Sequence, residues 1–160
     1  MRAALLLSLL ATLPACVAGG SIREEAEPYV EDAFASRYAL RQYLQASGAQ
    51  VTSAFNLDHL QLNDVQQAYG YEFANGGECV VFVYTTANEA VQLGPKNAGD
   101  YYVRTMPNGG FGTIRRSFRP TIPFGPSVAV CRGEDARVRN ALLGLRDYGE
   151  EYGIGVPAGA

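Results

Sequence analysis

A mostly apolar run opens the chain, from residue 3 to residue 13, after one positive charge at Arg2. A short basic segment, an apolar stretch of about 11 residues and small residues at its end are typical of a secretory signal peptide. A membrane-spanning helix needs about 20 apolar residues, so the run is too short to be one. The pattern predicts export, with removal of residues 1–15 or 1–18.

Residues at helical spacing, nearly all of them apolar, follow the leader and return near the end of the chain. The first series is Ile22, Ala26, Val30, Ala33, Phe34, Tyr38, Arg41 and Leu44. It predicts a helix that ends before Gly48 and begins either at Ser21, with a kink, or at Glu27 and Pro28. The second series is Val138, Ala141, Leu142 and Leu145, and it predicts a C-terminal helix that opens at residues 133–135.

Two hairpins are predicted between these helices. Residues 69–74 and 78–85 flank Asn75, Gly76 and Gly77, whereas residues 100–106 and 111–118 flank a second turn that contains Asn108 and Gly109. Asn-Gly is the strongest short signal for a hairpin turn.

Three further segments complete the predicted sheet. Residues 79–85 are apolar on both faces and should form a central strand. Residues 50–55 and 127–131 also have strand character, whereas the proline-rich residues 121–126 can form only a loop or an edge. The pattern leaves residues 58–67 undecided between a short helix and an edge segment.

Together these elements predict one α+β domain, in which an N-terminal helix precedes an antiparallel sheet of four or five strands and a C-terminal helix packs on it. The domain spans residues 22–146. Residues 16–21 form a short tether before it, and residues 147–160, rich in Gly, Tyr and acidic residues, form a flexible tail.

The leader ends in a sequence that offers two cleavage sites. Leu13, Pro14, Ala15 and Cys16 resemble the lipobox of bacterial lipoproteins, and that resemblance implies lipid attachment at Cys16 and anchoring at the periplasmic face of the outer membrane. Ordinary cleavage after Ala18 is the alternative and implies a periplasmic or secreted protein.

The other two cysteines, Cys79 and Cys131, form an even pair. An exported chain folds in an oxidising compartment, so we expect them to form a disulfide rather than two buried free thiols.

Charge and motif content narrow the possible functions. The net charge is −3, which does not favour a nucleic-acid-binding protein. The only histidine, His59, could act as a general base with Glu72 or Glu78, although a lone histidine is more often structural. No motif predicts a cofactor or a metal site.

A basic aromatic strip is predicted on the second hairpin. Pairing across Asn108 and Gly109 places four side chains on one face of the strands: Tyr102, Arg104, Arg115 and Arg119. Such a strip could bind an anionic ligand or an acidic partner. Alternatively, it pairs with acidic residues at the start of the first helix: Glu24, Glu25, Glu27, Glu31 and Asp32.

These features predict a non-catalytic binding or assembly module of the bacterial cell envelope, with an envelope protein or an anionic ligand as partner. The alternative is a periplasmic enzyme inhibitor or a small hydrolase that uses His59 with a carboxylate. Residues 66–70 resemble the inhibitory loop of cystatins in their outer Gln and Gly, and that resemblance implies the inhibitor role.

Overall fold

In the computed structural model, which describes residues 25–105 and 120–154, a five-stranded antiparallel sheet lies between two layers of helices. The strands are β1 (Val51–Asn56), β2 (Gln67–Phe73), β3 (Glu78–Val83), β4 (Ile122–Phe124) and β5 (Ser127–Arg132). The helices are α1 (Arg37–Ala46), α2 (Ala87–Thr105) and α3 (Ala136–Tyr152). Across the sheet the strand order is β1-β2-β3-β5-β4. The predicted α+β class, with an N-terminal helix, an antiparallel sheet and a C-terminal helix, is confirmed.

The central strand β3 is buried on both faces of the sheet, as its apolar run predicted. Successive residues of a strand point to opposite faces. Cys79 and Val81 accordingly pack with α1 and α3, whereas Val80 and Phe82 pack with α2. The sheet therefore has a separate core on each side.

The first predicted hairpin is confirmed by β2 and β3. In its turn, the Asn75 side chain accepts a hydrogen bond from the Gly77 N–H at 3.0 Å and donates one to the Gly133 carbonyl at 2.9 Å. A Cβ atom on Gly77 would lie 2.3 Å from that same carbonyl oxygen. Glycine at position 77 thus lets the turn pack against the connection between β5 and α3.

The prediction of a strand at residues 100–106, the first strand of the second hairpin, is wrong. Residues 100–105 form the C-terminal part of α2, and residues 111–118 lie outside the described residues. Aromatic and β-branched residues here favour a strand, but Tyr101 packs its ring against Phe82 with centroids 6.2 Å apart, and this tertiary contact suits the helix. The second hairpin of the sheet is instead formed by β4 and β5.

The N-terminal helix is shorter than its apolar pattern predicted. Residues 27–34 form two short 3-10 helices, and α1 begins only after Ser36, whose extended backbone breaks the series. The Ser36 hydroxyl caps α1 by accepting a hydrogen bond from the Ala39 N–H at 3.2 Å. Gly48 has a left-handed φ of 85° just after the helix.

The structure also settles the secondary structure of residues 121–126, of residues 58–67 and of the chain after residue 146. The proline-containing strand β4 lies at the sheet edge, as predicted for residues 121–126. The undecided residues 58–67 contain a short 3-10 helix, Asp58–Leu60, and an irregular connection to β2 with a turn at residues 63 and 64. Helix α3 continues past the predicted boundary at residue 146, since Tyr148 stacks on Phe34 with ring centroids 6.2 Å apart.

Candidate functional site

Cys79 and Cys131 form a disulfide between β3 and β5, one residue from the end of their pairing. They are directly opposite each other on β3 and β5, with Cα atoms 4.0 Å apart, and both are buried on the face that α1 and α3 cover. The predicted pairing is confirmed, and neither sulfur is available as a nucleophile. Cys16 lies outside the described residues.

The predicted basic strip loses its geometric basis where the structure describes it. Tyr102 and Arg104 belong to α2, so the strand alternation that placed them on one face does not apply to them. Arg115 and Arg119 lie outside the described residues. A binding role for these four residues stays a prediction.

The acidic residues predicted to oppose the strip lie at the start of the described chain: Glu27 and Asp32 begin the two short 3-10 helices, Glu31 is in the turn between them, and Glu25 precedes the first. Glu25, Glu27, Glu31 and Asp32 are all exposed, and Glu24 lies outside the described residues. Their pairing with the strip also stays a prediction.

His59 lies in the Asp58–Leu60 helix and is exposed. Asp58 accepts a hydrogen bond from the Ala68 N–H at 2.7 Å, so this helix lies beside the first residues of β2. Glu72 on β2 and Glu78 on β3 are opposite each other in the strand register, at the other end of β2 and next to the hairpin turn. The structure therefore does not bring His59 together with either carboxylate proposed for it.

The cystatin-like segment also differs from its expected form. Residues 67–70 lie in β2, which pairs with β1 on one side and with β3 on the other. A strand that is paired on both edges cannot act as the exposed loop that an inhibitory motif requires.

A cavity of about 350 Å³ lies between the start of α1 and the strands β1 and β2. We call it the arginine–tyrosine pocket. It is lined by Arg37, Tyr38, Arg41, Ala54, Phe55, Asn56, Tyr69, Gly70 and Tyr71. Pockets of this size can hold a small molecule.

Local folding rules explain how these side chains meet. Arg37 and Arg41 are four residues apart in α1 and therefore lie on the same side of the helix. Tyr69 and Tyr71 alternate along β2 and share the sheet face that α1 covers. The Tyr71 hydroxyl donates a hydrogen bond to the Arg37 carbonyl and so fixes the helix start against the sheet.

The two guanidinium groups differ in their contacts. Arg37 donates from Nη2 to the Tyr38 hydroxyl at 3.0 Å, and its guanidinium carbon is 4.9 Å from the centroid of the Tyr38 ring. This hydrogen bond raises the pKa of Arg37. The Nε atom of Arg41 is buried and has no hydrogen-bond partner among the described residues.

Two tyrosine hydroxyls keep their protons in this environment. Burial raises the pKa of Tyr69 and of Tyr71 above the ordinary range, and the nearby arginine charges oppose the rise. At neutral pH both hydroxyls can donate hydrogen bonds. The Tyr71 proton is already donated to the Arg37 carbonyl, so the pocket combines the cationic arginine donors, the neutral Tyr69 hydroxyl and aromatic rings.

A larger groove of about 670 Å³ lies on the other side of α1, between residues 26–30 and α3. Its lining mixes apolar and aromatic side chains with both signs of charge, including Glu27, Arg137 and Asp147. This mixture does not select one class of ligand.

Sequence reasoning missed the arginine–tyrosine pocket, although two signals were available. Helix α1 has two arginines four residues apart and no acidic residue in its first turn. Tyr69 and Tyr71 alternate in a strand. Only the packing of α1 over β2 brings these two patterns together.

Comparison with known proteins finds no match to a family model, a curated protein or a solved structure. Within residues 25–105 and 120–154, no helix combines the length and apolar content needed to cross a membrane. The same part of the chain contains no cluster of three or more His, Cys, Asp or Glu side chains placed to hold a metal ion.

Proposed function

We propose that the protein is an exported, lipid-anchored domain that acts as a non-catalytic binding or assembly module of the bacterial cell envelope. The observation that carries the proposal is the disulfide between Cys79 and Cys131 in the core of the sheet. Disulfides persist outside the cytoplasm and are rare inside it. The signal-like leader and the lipobox-like Cys16 agree with that location.

A binding role is supported by the arrangement of polar side chains. His59 is exposed and lies beside the start of β2, whereas Glu72 and Glu78 lie at the other end of that strand. The general-base pairs considered for a hydrolase are therefore not assembled. The arginine–tyrosine pocket instead gathers side chains that recognise ligands well. Geometry therefore favours binding over catalysis.

Anchoring is tested by comparing the full chain with its Cys16→Ala variant in a Gram-negative host. We expect the wild-type protein in the outer-membrane fraction, labelled by a palmitate analogue, because a multiply acylated cysteine gives stable anchoring. The variant should lose the label and leave the membrane fraction. Wild-type protein without label would contradict lipid attachment.

The binding role is tested on the same envelope fraction after cross-linking. We expect the anchored protein to be recovered with a stoichiometric envelope component and to show no hydrolase activity on ester, peptide and glycoside substrates. Hydrolysis that disappears in a His59→Gln variant would instead support the enzyme alternative.

A further inference from the structure

We propose that the arginine–tyrosine pocket binds a small organic anion, whose oxyanion head is held by Arg37 and Arg41 and whose planar or aromatic body lies against the tyrosine rings. The oxyanion is a carboxylate or a phosphate, since a guanidinium group can bind either through two parallel hydrogen bonds. The proposal rests on the proposed role as a binding module and names the ligand class of this pocket.

The positive charge at the start of α1 is unfavourable without an anion. Like charges four residues apart on a helix destabilise it. The N-terminal end of a helix also carries a partial positive charge and favours acidic residues. Arg37 is the first residue of α1, and the first turn contains no acidic residue. A bound anion would offset both effects.

Nearby side chains do not neutralise this charge through direct contact. Among the described residues that line the pocket, none is acidic. Asp58 is close enough for its charge to raise the pKa of Arg37, but its carboxylate accepts hydrogen bonds from Asn56 and from the Ala68 N–H. Neither arginine forms an ion pair within the described part of the chain.

Arg41 provides a second guanidinium group for such a ligand. Its Nε–H group is shielded from solvent and lacks a partner among the described residues, so a ligand would contact Arg41 through the terminal nitrogens. Those nitrogens form no hydrogen bond within the described part of the chain. An oxyanion in the pocket would give them charge-assisted hydrogen bonds that the protein itself does not supply.

The walls of the pocket suit an unsaturated body. Tyr69 and Tyr71 pack edge to face, with ring centroids 5.8 Å apart. Tyr38 is 66% exposed and lies under the Arg37 guanidinium, so it forms the solvent-facing wall of the pocket. Aromatic rings prefer stacked or edge-to-face contacts with other rings.

The test is isothermal titration calorimetry of the full-length protein in a non-ionic detergent. The probes are phenyl phosphate, benzoate, inorganic phosphate and the neutral analogue benzamide. We expect one of the two aromatic anions to bind at a single site, with an affinity that falls as salt rises. The aromatic anion that binds with the higher affinity shows whether the preferred head group is a phosphate or a carboxylate. Inorganic phosphate and benzamide should bind much more weakly.

Three variants locate the site. Arg41→Gln and Arg37→Gln should each weaken binding by about tenfold or more, because each removes charge-assisted hydrogen bonds. The control is Arg146→Gln, which removes one positive charge from α3, where Arg146 pairs with Asp147; its affinity should stay within about twofold of the wild type. Circular dichroism confirms that each variant is folded.

Several results would overturn the proposal. They are a lack of binding by both aromatic anions, equal binding of benzamide, equal binding of inorganic phosphate, and unchanged affinity in Arg41→Gln. If the glutamine variants unfold, amide shift mapping on the wild type decides: shifts must centre on Asn56, Tyr69 and Tyr71, and shifts elsewhere reject the site. These outcomes do not depend on export or anchoring, which the Cys16→Ala comparison tests separately.

Discussion

At the scale of single residues, Asp58 holds the connection between β1 and β2. Its Oδ1 atom accepts from the Ala68 N–H at 2.7 Å, and its Oδ2 atom accepts from the Asn56 amide at 2.8 Å. The Asp58 N–H in turn donates to the Asn56 side chain at 2.7 Å. The bond from Ala68, followed by that from Asn56, lowers the pKa of the Asp58 carboxyl below its usual value of 3.8.

We therefore expect Asp58→Asn to lower the free energy of unfolding at pH 7 by about 0.5–1.5 kcal/mol. The folded pKa lies below the unfolded pKa, so the stabilisation is present above about pH 4 and is lost as the pH falls through the folded pKa. The difference between wild type and variant should shrink in that acid range. Urea unfolding at pH 7, 4 and 3 measures it.

The matched control is Asp64→Asn, because the Asp64 side chain is exposed and forms no hydrogen bond with another described residue. Its stability should change by less than about 0.5 kcal/mol at every pH. An equal loss in both variants would show that charge alone, and not the hydrogen bonds of Asp58, accounts for the effect.

A residue's role could be predicted from the sequence where it depends only on how many residues of that type the chain contains. The pairing of Cys79 with Cys131 follows from their even number together with the predicted export. Arg37 and Arg41 could not be assigned to a site, because their importance arises from packing against Tyr69 and Tyr71, which are about 30 residues away in the chain.

At the scale of elements, α2 is the helix that the apolar pattern failed to predict. It contains Gly94 and Pro95, which disfavour helices, and it ends in residues typical of strands. A Cβ atom on Gly94 would lie 2.6 Å from a methyl carbon of Val128, so the glycine allows α2 to approach β5 closely. Tertiary packing outweighs local propensity in this helix.

The start of α2 nevertheless carries a readable signal, a capping box. The Glu89 N–H donates to the Thr86 hydroxyl at 3.2 Å, and the Glu89 carboxylate accepts from the Thr86 N–H at 3.3 Å. Thr followed three residues later by Glu is the sequence signature of this motif. This signature predicts a helix that begins at Ala87, and it is the same helix that extends into residues 100–105, where the hairpin prediction placed a strand.

Removal of this cap should be measurable. We expect Thr86→Ala to lower the free energy of unfolding by about 1 kcal/mol. Thr85→Ala is the control, since only the backbone N–H of Thr85 bonds to Glu89, and it should cost less than about 0.5 kcal/mol. Urea unfolding of the oxidised proteins gives both values; equal losses would show that the Thr86 hydroxyl does not act as a cap.

At the scale of the whole molecule, the sheet is covered on both faces, and the disulfide joins its strands β3 and β5. The fold class, the central position of β3 and the edge position of β4 were predictable, because each follows from the apolar pattern or from proline chemistry. The second core beneath α2 was not, because it depends on contacts distant in the chain.

The disulfide links residues 52 positions apart. In the chain-entropy description, closing a loop of about 50 residues stabilises the folded state by about 4 kcal/mol. That contribution exists only where the thiols become oxidised. Fold stability and cellular location are therefore connected in this protein.

We propose above all that this domain is exported, anchored at Cys16 and oxidised. Mass spectrometry of unreduced protein, recovered from the envelope of a Gram-negative host, tests it most directly. We expect an acylated N-terminal peptide that begins at Cys16, together with a disulfide-linked peptide that contains Cys79 and Cys131. An intact N-terminus at Met1 together with two freely alkylated thiols would contradict it.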